Sequence, residues 1–235
     1  MFKRKLTSII VFLIIVPLVI VLGYFMIKGK QYYLVSGLIC ILSFVPFFSS
    51  LERKKLQPRE LVTMACIIAA AVASRAAFFF LEQAKPTCAI VVLASVVFGP
   101  EFGFVSGALS MLLSNMIFGQ GMWTPFQMLG MGLTAFICGL LFHKERFKGN
   151  IIFVGLVSGI LCFVVYGLIV DTSSVFMWIT DFSFKTVLPV YISGLKFNII
   201  HGISTSIFII LCGKIIIEKL ERVKIKYELF NEKNI

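Results

Sequence analysis

Eight apolar runs, near residues 7–27, 32–50, 61–83, 86–98, 104–118, 126–142, 150–170 and 186–213, occupy most of this 235-residue chain. A helix that crosses a bilayer needs about 20 consecutive apolar residues, and most of these runs approach or exceed that length. The fourth and fifth are shorter. A run of ~13 residues reaches only ~20 Å at about 1.5 Å per residue, so these two either cross as short helices or form a re-entrant hairpin turning at Gly99-Pro100. Composition points the same way: 59% of residues are hydrophobic, 14% are charged and the mean hydropathy is +1.01, whereas soluble domains carry about 25% charged residues. A lone soluble enzyme and a disordered regulator are both excluded. The expected class is all-α: a polytopic membrane helix bundle with a six-helix core and two added transmembrane helices at the amino terminus.

The formal net charge of +11 does not call for nucleic acid, because the charges sit in short tracts between apolar runs, where membrane proteins keep them. Sixteen lysines and arginines fall on the side of the amino terminus: Lys3, Arg4 and Lys5; Arg53, Lys54, Lys55 and Arg59; Lys144, Arg146 and Lys148; and six more from Lys214 to Lys233. Only Lys28, Lys30, Lys85 and Lys185 fall on the other side. The positive-inside rule therefore places both termini in the cytoplasm. The run from Thr7 to Ile27 follows a basic amino terminus but ends without a small-residue cleavage site, which reads as a retained span and not a signal peptide. The charged tract Leu51–Glu60 divides the chain: residues 1–50 are a two-helix membrane anchor, 51–60 a cytoplasmic linker, 61–213 the six-helix core and 214–235 a basic cytoplasmic tail.

Several absences narrow the function. All eleven acidic residues are expected in loops, turns or the tail, although ion-coupled carriers usually hold carboxylates or unwound ion sites within the membrane. No G-x-x-x-x-G-K-[ST] occurs, so energy for uphill transport would come from another subunit. The six cysteines lie within apolar runs, without C-x-x-C pairs or nearby histidines, so neither a metal site nor a disulfide framework is indicated, and no cofactor is expected. The segments Gly103–Gly107 and Gly155–Gly159 are one residue too long for the G-x-S-G of a membrane serine protease. Their small-xxx-small spacing suits close helix packing.

Four features could carry function. In the third run Ala65, Ala69, Ala73 and Ala77 recur every four residues and form one stripe, which permits close contact with another helix of this chain or of a partner. Arg75 lies about 200° round the helix from Ala73 and so faces away from the stripe. With no carboxylate expected in a span, Arg75 snorkels, bonds amides and carbonyls, or binds a polar ligand. The segment Asn115–Met128 brings Asn115, Gln120, Trp123, Thr124 and Gln127 to the outer mouth around Gly119, Gly121 and Pro125. Donors, acceptors and one large aromatic together are the make-up of a small-molecule pocket, while Thr124 is placed to cap the helix that follows. The stretch Asp171–Lys185, with Trp178, reads as an outer loop, either a lid or an aromatic belt. Asn198 and His201, three apart on one helix face, line either a helix contact or the cavity.

Three segments carry a resemblance: Lys85-Pro86-Thr87, the Gly99-Pro100 turn, and the block from Ser114-Asn115 to Gln127, joined by GLKFNIIHGISTSIF at 194–208. Over roughly residues 61–213 the chain resembles the substrate-binding S components of energy-coupling factor (ECF) vitamin transporters. The resemblance implies a six-helix protein in a bacterial plasma membrane, in contact with lipid, that captures a vitamin from outside. It also implies docking onto a transmembrane coupling subunit driven by two ATP-binding subunits, with toppling in the bilayer to release substrate. It would set Ala65, Ala69, Ala73 and Ala77 against the coupling subunit and add Lys85 to the substrate-contacting residues. Among the family's substrates, cobalamin or a precursor is the leading expectation. Two departures are the added amino-terminal spans and Met122 before Trp123, where relatives often have proline. A stand-alone channel or facilitator, or an intramembrane enzyme using His201 with Ser204 or Ser206, are the alternatives.

Overall fold

A computed structural model describes residues 57–82, 84–143, 150–179 and 183–230. The two leading runs and most of the 51–60 linker lie outside the described residues. Six helical units follow: α1 Pro58–Ala77, α2 Thr87–Phe98, α3 Pro100–Phe118, α4 Thr124–Phe142, α5 Ile151–Trp178 and α6 Phe184–Lys226. Five of them are long and apolar enough to cross a membrane, and α2 is the shorter exception. The chain is thus a multi-pass membrane helix bundle.

Each start has a local cause. Pro58 opens α1 at a position where its missing N–H costs nothing, and Glu60 reaches back to accept from Gln57 N at 3.0 Å in a capping box. Gly99, at φ +109°, makes the turn between α2 and α3, and Pro100 begins α3 directly behind it. The two short runs thus form α2 and α3, joined at Gly99-Pro100. Helix α2 spans only 12 residues, or ~18 Å, and sits in the middle of the bundle with every residue but Ile90 buried. A helix enclosed on all sides needs no amphipathic pattern, which is why its sequence is apolar throughout. Helix α3 starts at the turn itself and is longer than the apolar run that signalled it.

Close backbone approaches hold the bundle together. A Cβ on Gly107 would meet Met131 O at 2.9 Å, and one on Gly132 would meet Phe104 O at 2.9 Å, so α3 and α4 touch through glycine on both sides. Gly159 and Gly202 do the same for α5 and α6, each facing the other's carbonyl at 2.6 and 2.8 Å. The segments Gly103–Gly107 and Gly155–Gly159 therefore act in packing.

The outer surface is apolar where lipid would lie. On α6 Leu195, Ile199, Ile203, Ile207, Leu211 and Ile215 are all exposed at steps of four. From Leu195 to Ile215 the helix rises ~30 Å, the thickness of a hydrocarbon core. Ile152, Leu156, Ile160, Val164 and Leu168 form the matching stripe on α5. Exposed stripes of this size on a soluble protein would drive association.

Three expectations are corrected. The region 171–185 is not a loop throughout, because α5 continues to Trp178. Asp171 therefore lies inside a membrane helix, against the expectation that no span holds a carboxylate. Its charge marked a boundary only in hydropathy; the helix continues because Asp171 finds a partner on α6. Helix α6 likewise runs past residue 213 to Lys226. Ile217 is buried and Leu220 packs against the core within the charged segment, so an amphipathic pattern carries the helix beyond its apolar run. After α6 the chain turns back: Phe230 N donates to Glu60 Oε1 at 2.7 Å and the Phe230 ring packs against Phe98 and Phe102 at 5.5 and 5.3 Å, while Lys224 Nζ, in the last turn of α6, donates to Val97 O at 2.7 Å.

Candidate functional site

A connected polar network lies where α1 meets the α3–α4 turn. Arg75, near the end of α1, donates from Nη1 to Ser114 Oγ at 2.6 Å and to Asn115 Oδ1 at 2.8 Å. Asn115 is fully buried and passes the network on, donating from Nδ2 to Thr124 Oγ1 at 3.0 Å and to Gln127 Oε1 at 2.8 Å. The Phe118 ring lies 5.6 Å from the guanidinium, within cation–π range. Of the three fates open to Arg75, bonding to amide and hydroxyl groups is the one observed in this structure.

The turn is shaped by the same residues. Gly119, at φ +113°, ends α3. Thr124 is the first residue of α4 and not its side-chain cap; its hydroxyl accepts from Gly121 N at 3.3 Å as well as from Asn115. The Trp123 ring lies over Gly121, in space that a Cβ there would occupy. Gln120 does not enter the network. It is exposed and donates to Leu112 O at 3.1 Å, folding the turn back onto α3.

Lys85 stands between α1 and α2, which the hydroxyls of Ser74 and Thr87 link at 3.2 Å. Burial, and then the nearby Arg75 guanidinium, hold the Lys85 ammonium below the usual lysine value of 10.5. His201 on α6 lies within electrostatic reach of both cations. The residue is 94% buried, and its ring meets the Tyr166 ring edge-on, with centroids 4.8 Å apart. Tyr166 ends a π-helical turn, Cys162–Tyr166, that interrupts α5; such turns recur at functional sites. Tyr166 carried no signal in the sequence, since its position depends on that extra residue per turn.

Asn198 takes a different partner. Its Nδ2 donates to Asp171 Oδ2 at 2.7 Å. Each side chain rests on a glycine of the facing helix, Asp171 on Gly194 and Asn198 on Gly167. Thr172 and Tyr191 share a hydrogen bond of 2.9 Å one turn away. Asn198 and His201 thus share a face, as their spacing predicts, and that face is turned to α5. Ala65, Ala69, Ala73 and Ala77 are all exposed, while Met64, Ile68 and Ala71 bury the opposite face of α1.

The arrangement gathers hydrogen-bond donors and acceptors around one cation, and among the described residues none of its hydroxyls is hydrogen-bonded to a histidine or carboxylate. The description "ECF-type riboflavin transporter, S component" matches residues 55–221. The chain belongs to that family. No curated protein and no solved structure gives a significant match. The S component is the substrate-binding subunit of a vitamin transporter that works with an ECF module of membrane and ATPase subunits, and it is not an enzyme. The matched residues cover α1 to α5 and most of α6. The family description names riboflavin, and nothing supports the expectation of cobalamin.

Proposed function

We propose that this S component captures riboflavin at its outer end and presents it to an ECF module through the alanine face of α1. The family match carries the substrate class, since its description names riboflavin. The local chemistry is compatible. One edge of the isoalloxazine ring alternates carbonyl acceptors with an imide N–H, and Arg75, Asn115 and Gln127 offer cationic donors and amides within one network. Direct contacts are assigned to Arg75, Lys85, Asn115, Gln127 and His201, with Trp123 supplying an aromatic surface. Gln120 and Thr124 shape the turn, and Asn198 positions α6 through Asp171.

The docking face is supported by contrast with the rest of the surface. Helices α5 and α6 expose stripes of isoleucine and leucine, whereas α1 exposes alanine at four successive steps. Lipid needs only apolar surface; a neighbouring helix gains from small residues that let backbones approach. Titration of riboflavin into the purified protein, followed by quenching of flavin fluorescence, tests the substrate. Saturable one-to-one quenching is expected, and its absence rejects riboflavin. Uptake into liposomes should require the ECF module and ATP, whereas flux with this chain alone would favour a facilitator.

A further inference from the structure

Helix α1 leaves one side uncovered by the described residues. Met64, Ile68 and Ala71 turn inward and are buried. At the start of the helix the returning chain takes up one flank, where Phe230 N donates to Glu60 Oε1. Val62, Ala65, Cys66, Ala69 and Ala73 fall within a sector about 100° wide at about 100° per residue, and all five are exposed. From Ala65 to Ala73 this sector holds no side chain larger than a cysteine.

The chain itself supplies a matching surface. Residues 51–57 join the apolar run 32–50 to α1, and a fully extended connection from residue 50 to Pro58 reaches at most about 28 Å. The end of the run is thereby kept beside the start of α1, and a span leaving that point through the membrane runs antiparallel to α1. Within the run Ser36, Cys40 and Ser43 are small and fall in a sector about 60° wide. In the other leading run, 7–27, Gly23 is the only small residue after Ser8, so the second run is the one shaped for close contact. The register agrees as well. Ser43, Cys40 and Ser36 precede residue 50 by 7, 10 and 14 positions, and Ala65, Ala69 and Ala73 follow Pro58 by 7, 11 and 15. At about 1.5 Å per residue the two sets lie at matching depths of roughly 10, 15 and 21 Å.

We propose that the run 32–50 packs as a helix antiparallel on the alanine face of α1, with Ser43, Cys40 and Ser36 opposite Ala65, Ala69 and Ala73, and that the ECF module must displace it to dock. Small residues on both sides let the two backbones approach, as Gly159 and Gly202 do between α5 and α6. The displacement rests on α1 being the docking face; the contact does not. The chain thus covers its own docking surface, and the face takes one occupant at a time.

The test cross-links the full chain in membranes without the ECF module. Ala69→Cys, combined with Cys66→Ser, is oxidised with copper phenanthroline, and the linked peptides are identified by mass spectrometry. A disulfide between Cys40 and position 69 of the same chain is expected, and Cys40→Ser should abolish it. Cys40 unlinked to position 69, or linked instead to the exposed Cys212 of α6 or to a second copy, overturns the contact. Ser36→Cys with Ala73→Cys, in a chain carrying Cys40→Ser and Cys66→Ser, repeats the test one turn along and decides it if the first variant folds poorly. Capture of the purified ECF module then tests displacement. Oxidation of the linked variant should lower capture at least tenfold and a reductant should restore it, whereas equal capture by the oxidised and reduced forms overturns displacement. If Ala69→Trp captures the module as well as wild type does, the docking reading fails by itself, and the contact is decided by the cross-link alone.

Discussion

Replacing Asn115 by leucine removes the centre of the polar network while keeping the branched shape of the side chain, with some added bulk. The fully buried amide accepts from Arg75 at 2.8 Å and donates to Thr124 and Gln127 at 3.0 and 2.8 Å. The bond to the charged guanidinium contributes about 1.5–3 kcal/mol and each neutral bond about 1 kcal/mol, so their loss sums to roughly 3–5 kcal/mol. Ser114 still accepts from Arg75 at 2.6 Å, which sets the expectation near the lower end. At about 2–4 °C per kcal/mol for a chain of this size, the apparent melting temperature in detergent should fall by roughly 6–12 °C. Riboflavin affinity should fall at least tenfold, about 1.4 kcal/mol, because Gln127 and Arg75 lose the group that orients them. Asn115→Asp serves as the control. It keeps an acceptor for Arg75 but turns a donor toward Gln127 into an acceptor, so its loss of stability should be the smaller of the two. A leucine variant that melts within about 2 °C of wild type, with flavin affinity inside the range of error, would refute the network as an organising element.

Further outcomes follow from other contacts. Ala69→Trp and Ala73→Trp should abolish ECF-dependent uptake in proteoliposomes while flavin quenching survives; transport at the wild-type rate in both would remove the alanine face from docking. Asn198→Leu should strip Asp171 of its partner inside the membrane and lower thermal stability by about 1–3 kcal/mol; Asp171→Asn, which keeps a hydrogen bond, should lose less in the same melting assay. Leu229→Ala, beside the Phe230–Phe98 contact, should cost about 2–5 kcal/mol by opening a buried site. An unchanged melting curve would show that the return of the chain onto α1 contributes nothing.

The bundle was legible in the sequence because hydropathy reports each span separately, without knowledge of its neighbours. The direction of Arg75 was legible for the same reason: a helix turning about 100° per residue sets residues 73 and 75 on opposite faces whatever packs against them. Pairings across helices were not. Asp171 marked the end of an apolar run, and only the approach of α6, with Gly194 making room for the carboxylate, turns it into a buried group with a partner. Helix α6 outlasted its apolar run because residues 214–226 keep the helical period while changing composition. The polar residues grouped between 115 and 127 were found by their proximity in the chain. Their division into network members Asn115, Thr124 and Gln127 and a turn-fastening Gln120 depends on the φ of Gly119 and the course of the turn.

The surface carries a distinction that composition alone does not make. An exposed alanine and an exposed isoleucine are both apolar, so hydropathy treats α1 and α6 alike. Their shapes differ: isoleucine every fourth residue keeps a neighbouring helix at a distance while still meeting fluid lipid, and alanine at the same spacing brings a helix close enough for backbone contact. Within the bundle, contacts of that close kind are made by Gly107 with Gly132 and by Gly159 with Gly202. The α1 face repeats the device on the outside, where no described residue uses it, and on the helix that also carries Arg75. A partner seated there would press on the helix that anchors the polar network, and release of substrate would then be coupled to docking through Arg75 and its bonds to Ser114 and Asn115. That coupling predicts that adding the ECF module, without ATP, weakens riboflavin binding in wild type and not in Ala69→Trp. Equal affinities in the two would separate docking from release.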